Sequence, residues 1–193
     1  AAVAAIAAEA VAKFGRLDIW INLAGIYPVT PTLEVSDAEW RRITDINLNG
    51  TFFGAREAAR QMAAGGRSGV IINTVSTVVH KVSAPGLASY IAAKGGVESL
   101  TRALAYEFGG NNIRVLALAP TLTKTEGTMA QKPALTVAMG NKGDPHEIYG
   151  SRLPLGRVLD GDDVARVALF MVSDLALMMT GSVVYVDGGD RTF

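Results

Sequence analysis

Three side chains near the middle of the sequence could carry out proton transfer: Ser76, Tyr90 and Lys94. Tyr90 and Lys94 are separated by four positions, so on a helix they would lie on one face, one above the other. Ser76 closes the apolar run 70–75, which is typical of a buried strand. A hydroxyl at a strand end, facing a Tyr/Lys pair on the next helix, would form a proton-transfer site. On spacing alone, a tyrosine packed beneath a lysine stem remains an open alternative.

The chemistry of such a site explains why a lysine would stand beside a tyrosine. The pKa of a free tyrosine is about 10 and must fall by about 3 units, roughly 4 kcal/mol, for the phenol to act as a base near neutrality. An ammonium about 4 Å away, at an effective dielectric of about 20, supplies roughly 4 kcal/mol. We therefore expect Lys94 to lower the pKa of Tyr90.

Helical and strand patterns alternate along the chain and predict an α/β fold with a parallel sheet. The predicted helices cover residues 1–14, about 36–62 with a possible bend at 47–50, 89–108 and 160–173, and the predicted strands cover 18–23, 70–75, 113–118 and 182–186. Ligands of such sheets bind beyond the carboxyl ends of the strands, where Gly25, Ser76 and Pro120 fall.

Two segments stand out for their composition. The strand 18–23 is apolar on both faces, which is typical of a central strand in a parallel sheet. Residues 121–156 show no clean period and are predicted to form a long substrate loop. Its apolar side chains could line a substrate pocket or merely cover the core, and the candidates are Met129, Leu135, Val137, Met139 and Tyr149.

Composition narrows the class of protein. The 193 residues predict a single domain, and 49% hydrophobic residues with a mean hydropathy of +0.26 favour a buried sheet covered by helices. A formal net charge of zero gives no indication of nucleic-acid binding, and no apolar run is long enough to cross a bilayer. The absence of cysteine excludes disulfides and fits a reducing compartment, so we expect a cytoplasmic protein.

The two histidines, His80 and His146, lack a nearby carboxylate cluster, so no metal site is expected. His80 is interpreted as a solvated loop residue.

The motifs occur in the order of a known family. From residue 1 to about 190 the chain resembles the classical short-chain dehydrogenase/reductases, which implies a Rossmann-like, doubly wound parallel sheet flanked by helices. The matching segments are Asn22-Leu23-Ala24-Gly25, Asn47-Leu48-Asn49-Gly50, Asn73-Thr74-Val75-Ser76, the pair Tyr90 and Lys94, Pro120 to Thr125, and Thr180 to Gly189.

The resemblance implies a role for each residue. Tyr90 would be the general acid/base, Ser76 would orient the substrate oxygen, and Lys94 would also hold the nicotinamide ribose. Asn47 would hold a water that links Lys94 to solvent. The implied contacts of the cofactor, NAD or NADP with the choice not readable, are Asn22, Ala24, Gly25, Tyr90, Lys94, Pro120, Thr121, Leu122 and Thr125.

Other roles stay open for three of these residues. Asn47 could cap or break a helix, Asn22 could fix neighbouring strands, and Thr125 could be an ordinary loop threonine. The chain also departs from the family pattern at two positions: Leu23 replaces an asparagine, and Thr121 replaces a glycine and could crowd the nicotinamide end.

The largest departure concerns the cofactor's pyrophosphate. Members of the family bind it with a Gly-rich turn between a first strand and a helix, and the sequence contains no such turn. We therefore expect residues 1–193 to form an N-terminally truncated nucleotide-binding domain that binds a dinucleotide poorly by itself, with the strand 18–23 left as an apolar edge.

The resemblance implies an NAD(P)-dependent enzyme, an alcohol dehydrogenase or a carbonyl reductase of the 3-oxoacyl type, acting on a small alcohol or carbonyl substrate. Two alternatives are a non-catalytic fragment or scaffolding relative, and another parallel α/β module in which the residue set is a coincidence. No nucleic-acid or membrane partner is expected. The family pairs the helix 89–108 between subunits, so its small residues Ala92, Gly96 and Ala103 predict a homodimer or homotetramer.

Overall fold

A four-stranded parallel sheet forms the centre of the protein, as the alternating pattern predicts. The structure is a computed structural model and describes residues 2–192. The strands of this sheet, in spatial order, are β1 (Ile19–Asn22), β2 (Gly69–Thr74), β3 (Ile113–Pro120) and β6 (Val183–Val186). A separate parallel pair is formed by β4 (Thr123–Lys124) and β5 (Leu159–Asp160).

Helices cover both faces of the sheet. They are α1 (Ala2–Phe14), α2 (Asp37–Thr44), α3 (Gly50–Ala64), α4 (Ala88–Phe108), α5 (Glu126–Ala130), α6 (Lys132–Ala138), α7 (Pro145–Gly150) and α8 (Gly161–Val172). Ile71 and Val115 point to the face packed by α3 and α4, whereas Ile72, Leu116 and Leu118 point to the face packed by α8. This alternation buries both faces of β2 and β3, which explains why they are almost continuously apolar.

Strand β1 lies at the edge of the sheet and not at its centre. It pairs with β2 on one side, and no other strand within residues 2–192 pairs with it. Trp20 packs against the cluster under α3 and α4, whereas Ile19, Ile21 and Leu23 remain 46%, 43% and 66% exposed. Because Ile19 and Ile21 are in register with Val70 and Ile72, they extend the apolar face that α8 covers only over the inner strands. The predicted exposed apolar edge is therefore present.

The predicted bend in the long second helix is a single wide turn. Ser36 caps α2 by accepting a hydrogen bond from the backbone N–H of Glu39, and the helix ends at Thr44. Residues Asp45–Asn49 then form one π-helical turn before α3 begins at Gly50. Such turns insert an extra residue into a helix and often accompany functional sites. Here the turn contains Asn47.

The predicted long loop has regular structure of its own. Between β3 and β5 the chain forms β4, α5, α6 and α7, so the prediction of an aperiodic loop over 121–156 is wrong in its local detail. These helices have between five and seven residues, too few for a helical period to emerge from the sequence. The side chains of Thr125 and Asp144 cap the N-termini of α5 and α7.

Candidate active site

The three side chains with proton-transfer chemistry line one cavity. Its volume is about 470 Å³, and it lies beyond the carboxyl ends of β2 and β3, where a parallel sheet of this kind binds ligands. Ser76, Tyr90 and Lys94 all contribute to its wall. Tyr90 and Lys94 lie on the first turns of α4, so the four-residue spacing places both on the helix face that looks into the cavity.

Ser76 follows β2 in an extended conformation. Its hydroxyl accepts a 3.4 Å hydrogen bond from the backbone N–H of Val78 and so caps the short turn that comes next. The same hydroxyl lowers the pKa of the Tyr90 phenol, which means that the two groups interact. This pairing of a strand-end serine with a tyrosine on the next helix is the arrangement that the sequence predicts.

The electrostatics of the pair differ from the prediction. Burial raises the pKa of Tyr90 to about 12, against the smaller lowering effect of Ser76. Burial also lowers the pKa of Lys94 to about 8. The Lys94 ammonium donates a 2.7 Å hydrogen bond to the carbonyl oxygen of Thr74 at the end of β2. The expected lowering of the Tyr90 pKa by Lys94 is therefore wrong for this structure, because desolvation of the phenolate outweighs the attraction of a lysine directed at a carbonyl.

Asn47 is fully buried and connects the π turn to the segment after β1. Its amide donates to the carbonyl oxygens of Ile26 and Ile43 at 2.9 Å each and accepts from the N–H of Ile26 at 3.2 Å. Gly25 is essential to this packing, because a Cβ there would stand 2.7 Å from Asn47 Oδ1 and 3.7 Å from Lys94 Nζ. Asn47 thus lies near Lys94 while its own amide is committed to the backbone, and its relay role remains a prediction.

Asn22 belongs to a chain of polar contacts between strands. Its amide nitrogen donates to Asn73 Oδ1 at 2.8 Å, and Asn73 in turn donates to Thr101 Oγ1 on α4 at 3.0 Å. Its carbonyl oxygen accepts from the Trp20 indole at 2.8 Å. These contacts support the alternative that Asn22 fixes neighbouring strands. Neither Asn22 nor Ala24 lines the cavity, and their contact with a cofactor stays a prediction.

The remaining predicted cofactor contacts converge on the cavity. The wall includes Gly25, Pro120, Thr121, Leu122 and Thr125. Thr125 is also the N-cap of α5, because its hydroxyl accepts from the N–H of Thr128 at 3.2 Å. The Thr121 hydroxyl is turned to Asp190, to which it donates at 2.9 Å, so its position is fixed by a polar partner.

The cavity wall contains residues that the sequence analysis did not single out. The Tyr27 ring lies edge-on to Tyr90, with 6.0 Å between ring centroids and 67° between planes. Ser83 and Leu87, from the segment before α4, also line the wall. Asp190 stands behind Thr121 and Tyr149. Two features of the sequence could have indicated these residues. Tyr27 is an aromatic residue just after the turn at Gly25, and Asp190 is an acid directly after Gly188-Gly189.

The apolar candidates of the segment 121–156 divide into two groups. Leu135, Met139 and Tyr149 line the cavity. Met129 and Val137 do not, and they are 40% and 66% exposed. Met129 instead borders a second cavity of about 410 Å³ between α5 and α7. The segment therefore supplies part of the wall of the candidate active site.

The two histidines lie outside this cavity. His80 is exposed, yet its Nε2 is 2.7 Å from the carboxylate of Glu98, so it has a fixed partner that the prediction of a solvated residue missed. His146 is buried beside the second cavity. Within the described residues no three His, Asp or Glu side chains are grouped so that they could hold a metal ion. Over residues 2–192 there is also no helix with the length and apolar content needed to cross a bilayer.

Comparison with known proteins identifies the family. Residues 1–190 match the family model described as enoyl-(acyl carrier protein) reductase. Galactitol 2-dehydrogenase (L-tagatose-forming) from Cereibacter sphaeroides is 39% identical over 187 residues, which cover 96% of this chain and 69% of that protein.

Solved structures give the same result. A gluconate 5-dehydrogenase from Burkholderia cenocepacia, in complex with NADP and tartrate, superposes with a TM-score of 0.86 at 31% identity, covering 99% of this chain and 71% of the other. A 4-hydroxyisoleucine dehydrogenase complexed with NADH gives a TM-score of 0.82 at 29% identity, covering 100% and 77%. With its parallel sheet, its Tyr90/Lys94 helix and these matches, the chain belongs to the classical short-chain dehydrogenase/reductase family.

Proposed function

We propose that this chain carries the catalytic residues of an NAD(P)-dependent oxidoreductase, an alcohol dehydrogenase or carbonyl reductase. One observation carries the proposal: Ser76, Tyr90 and Lys94 line the same cavity at the carboxyl ends of the central strands. The relative and the two solved structures described above are dehydrogenases, and the two structures hold NADP or NADH. The intact set of proton-transfer residues favours this proposal over the scaffolding alternative, in which no function would require a buried lysine beside a buried tyrosine.

The residues present fit the nicotinamide end of the cofactor. Lys94 carries three N–H donors, and its hydrogen bond to Thr74 uses one of them. Its ammonium borders the cavity close to Gly25, which lines the same wall. Lys94 would therefore hold the nicotinamide ribose, and Gly25, Pro120 and Thr125 would border the ring. When bound, the cofactor supplies or accepts the hydride.

The protein's own contribution is proton transfer and orientation. With a pKa of about 12, the Tyr90 phenol is protonated at neutral pH and can donate its proton to the oxygen of a carbonyl substrate that is being reduced. The Ser76 hydroxyl, which interacts with the phenol, would hydrogen-bond the same oxygen and fix its position. In the oxidation direction Tyr90 must first lose its proton, which the raised pKa opposes. At neutral pH the protonated phenol is thus available as the proton donor for carbonyl reduction.

The experiment is the substitution Tyr90→Phe. It should be made in this chain and in an extended chain, defined as this sequence preceded by the strand, Gly-rich turn and helix of one matched relative. Binding of NADH or NADPH is verified by fluorescence, and turnover is measured with a panel of secondary alcohols and ketones. Because general acid–base catalysis contributes about 10²–10⁴-fold, kcat should fall by that factor with little change in cofactor affinity.

Tyr106→Phe is the matched control. Tyr106 lies on the same helix but is 94% exposed, so its hydroxyl takes no part in the cavity and kcat should not change. A Tyr90→Phe variant that keeps kcat within about tenfold, roughly 1.4 kcal/mol of barrier, would exclude Tyr90 as the proton donor. Bound nucleotide without turnover of any substrate by the wild-type chain would favour the scaffolding alternative.

A further inference from the structure

The carboxylate of Asp190 gathers two hydroxyl groups at the wall of the cavity. Asp190 is 4% exposed, and its Oδ2 accepts hydrogen bonds from Tyr149 Oη at 2.7 Å and from Thr121 Oγ1 at 2.9 Å. The Lys81 ammonium is 3.3 Å from Oδ1 and donates to the backbone carbonyl of Asp190 at 2.6 Å. A carboxylate beside an ammonium is ionised and can only accept hydrogen bonds. The direction of both hydroxyl bonds is therefore fixed.

This direction determines what the two hydroxyls can offer to a ligand. A hydroxyl has one proton and two lone pairs, and both protons are taken by Asp190. The oxygens of Thr121 and Tyr149 lie 3.0 Å apart, and both residues line the cavity. The Ser83 hydroxyl, which also lines the cavity, interacts with the Tyr149 oxygen as well. The lone pairs that remain on Thr121 and Tyr149 make these two hydroxyls acceptors toward a ligand. The raised pKa of Tyr149, about 12, is in keeping with a phenol that stays protonated and bound to the carboxylate.

The surroundings of this polar patch are apolar. Much of the cavity wall around these hydroxyls is formed by apolar side chains. They include Val29, Val78, Ala84, Leu87, Leu135 and Met139. Away from the reacting groups Ser76 and Tyr90, the wall presents a second cluster of hydroxyls at Thr121 and Tyr149, with Ser83 beside Tyr149. An acidic ligand group would be disfavoured at this second cluster, because it faces lone pairs backed by a carboxylate.

We propose that Asp190, Thr121 and Tyr149 form a recognition subsite for an uncharged hydroxyl group of the substrate. The proposal rests on the proposed function for the position of the reacting carbon, and it adds the substrate class. That class is an alcohol or ketone with an apolar frame and a second hydroxyl away from the reacting carbon. The second hydroxyl donates to the oxygens of Thr121 and Tyr149. Asp190 acts as a positioning residue, because it sets the direction of these hydroxyls without touching the substrate.

Ligand binding to the 193-residue chain tests this proposal without hydride transfer. The probes are trans-1,4-cyclohexanediol, whose second hydroxyl can donate, trans-4-methoxycyclohexanol, whose ether oxygen can only accept, and cyclohexanol. Dissociation constants are measured by ligand-observed saturation-transfer NMR titration. One net hydrogen bond predicts that the diol binds about three- to tenfold more tightly than either of the other probes. Equal affinities for the three probes would overturn the proposal.

The decisive variant is Asp190→Asn. Since Lys81 only donates, the amide oxygen will face Lys81 and the amide nitrogen will face the two hydroxyls. The hydroxyls then accept from the amide, and their protons are free to point into the cavity. The preference for the diol over the methoxy probe should fall by about three- to tenfold, to one or below. If Asp190 had only a structural role, the substitution would weaken the binding of both probes equally. The ratio of their dissociation constants would then stay unchanged, which would overturn the proposal.

Two further sets of variants make the result interpretable. Asp163→Asn removes the same charge from an ion pair with Arg157 outside the cavity, and the probe ratio should stay at its wild-type value. Thr121→Val and Tyr149→Phe each remove one acceptor oxygen without changing charge, so each should lower the diol preference even if Asp190→Asn does not fold. A preference that survives in both of these variants would refute the subsite. A chain that shows the preference but never transfers hydride would refute the proposed function alone.

Discussion

The Lys94 ammonium lies 5.7 Å from the centre of the Tyr90 ring, and both groups are desolvated in the same cavity wall. Burial disfavours the charged form of each group, which raises the pKa of the phenol to about 12 and lowers that of the ammonium to about 8. At neutral pH this burial costs stability at Lys94, which is charged there, whereas the Tyr90 phenol is neutral in both the folded and the unfolded chain. Active sites commonly contain such groups, because their protonation must be adjusted to the reaction and not to the fold.

The first prediction concerns the pH dependence of stability through Lys94. Its folded pKa of about 8 lies below the ordinary value of 10.5, so between these values the unfolded chain binds more protons than the folded chain. Stability therefore rises with pH across this window. Relative to Lys94→Met, the free energy of unfolding of the wild-type protein should increase by about 2–3 kcal/mol between pH 7 and pH 10.

Urea denaturation at several pH values measures this difference. Lys142→Met serves as the control, because Lys142 is exposed and its removal should leave the pH profile parallel to that of the wild type. A difference between wild type and Lys94→Met that stays constant from pH 7 to pH 10 would contradict the lowered pKa of Lys94.

A second prediction concerns His146. This residue is 7% exposed, and neither of its ring nitrogens has a hydrogen-bond partner. Its Nδ1 lies 3.5 Å from an Asp144 oxygen, beyond the range of a good hydrogen bond. Burying an unpaired polar group costs about 1–3 kcal/mol, so His146→Leu should stabilise the protein by about 1 kcal/mol after loss of some packing.

Thermal unfolding at pH 8 provides the measurement. His80→Leu is the matched comparison, since His80 has a 2.7 Å partner in Glu98, and its replacement should lower the melting temperature. If both substitutions lower the melting temperature equally, the prediction is contradicted, because the imidazole of His146 would then have a stabilising hydrogen-bond partner.

The third prediction concerns the cofactor. Gly25, Lys94 and Thr125 fit the nicotinamide end, whereas residues 2–192 contain no Gly-x-Gly-x-x-Gly turn to bind the pyrophosphate at a helix N-terminus. Calorimetry should show that the 193-residue chain binds NADH and NADPH more weakly than micromolar, and that the extended chain regains micromolar affinity for one of them. Micromolar affinity of the unextended chain would show that the nicotinamide end alone is a sufficient site.

The fourth prediction concerns assembly. Ala92 and Ala103 are exposed on α4, and we propose that this face pairs between subunits in a dimer or tetramer. Gly96 has a different role, because a Cβ there would stand 3.0 Å from Leu48 within the same chain. Ala103→Arg should convert the extended chain to a monomer in sedimentation experiments at micromolar concentration, whereas Ala12→Arg on the exposed side of α1 should not. A wild-type chain that sediments as a monomer would contradict the proposal.

The sequence by itself was sufficient for the sheet and for the meeting of Ser76 with Tyr90. Both follow from short-range rules, since apolar runs of strand length fix β2 and β3, and a four-residue spacing fixes the shared helix face of Tyr90 and Lys94. Parallel connection then brings the strand ends to one edge of the sheet. The apolar pattern of β1 predicted a central strand, and only the resemblance to the family predicted that this strand would be left as an exposed edge.

Only the tertiary structure decided the electrostatics and the composition of the cavity wall. The pKa of Tyr90 depends on how much protein surrounds the phenol and on where Lys94 points. Neither property can be predicted from the spacing of the two residues. Asp190 meets Thr121 across 69 positions of sequence, so no local pattern announces the contact. The helices α5, α6 and α7 are likewise too short to show a period. Side-chain caps begin α5 and α7, and all three helices contribute residues to the cavity wall. Spacing determines which side chains share an element, whereas burial and long-range hydrogen bonds determine what those side chains do.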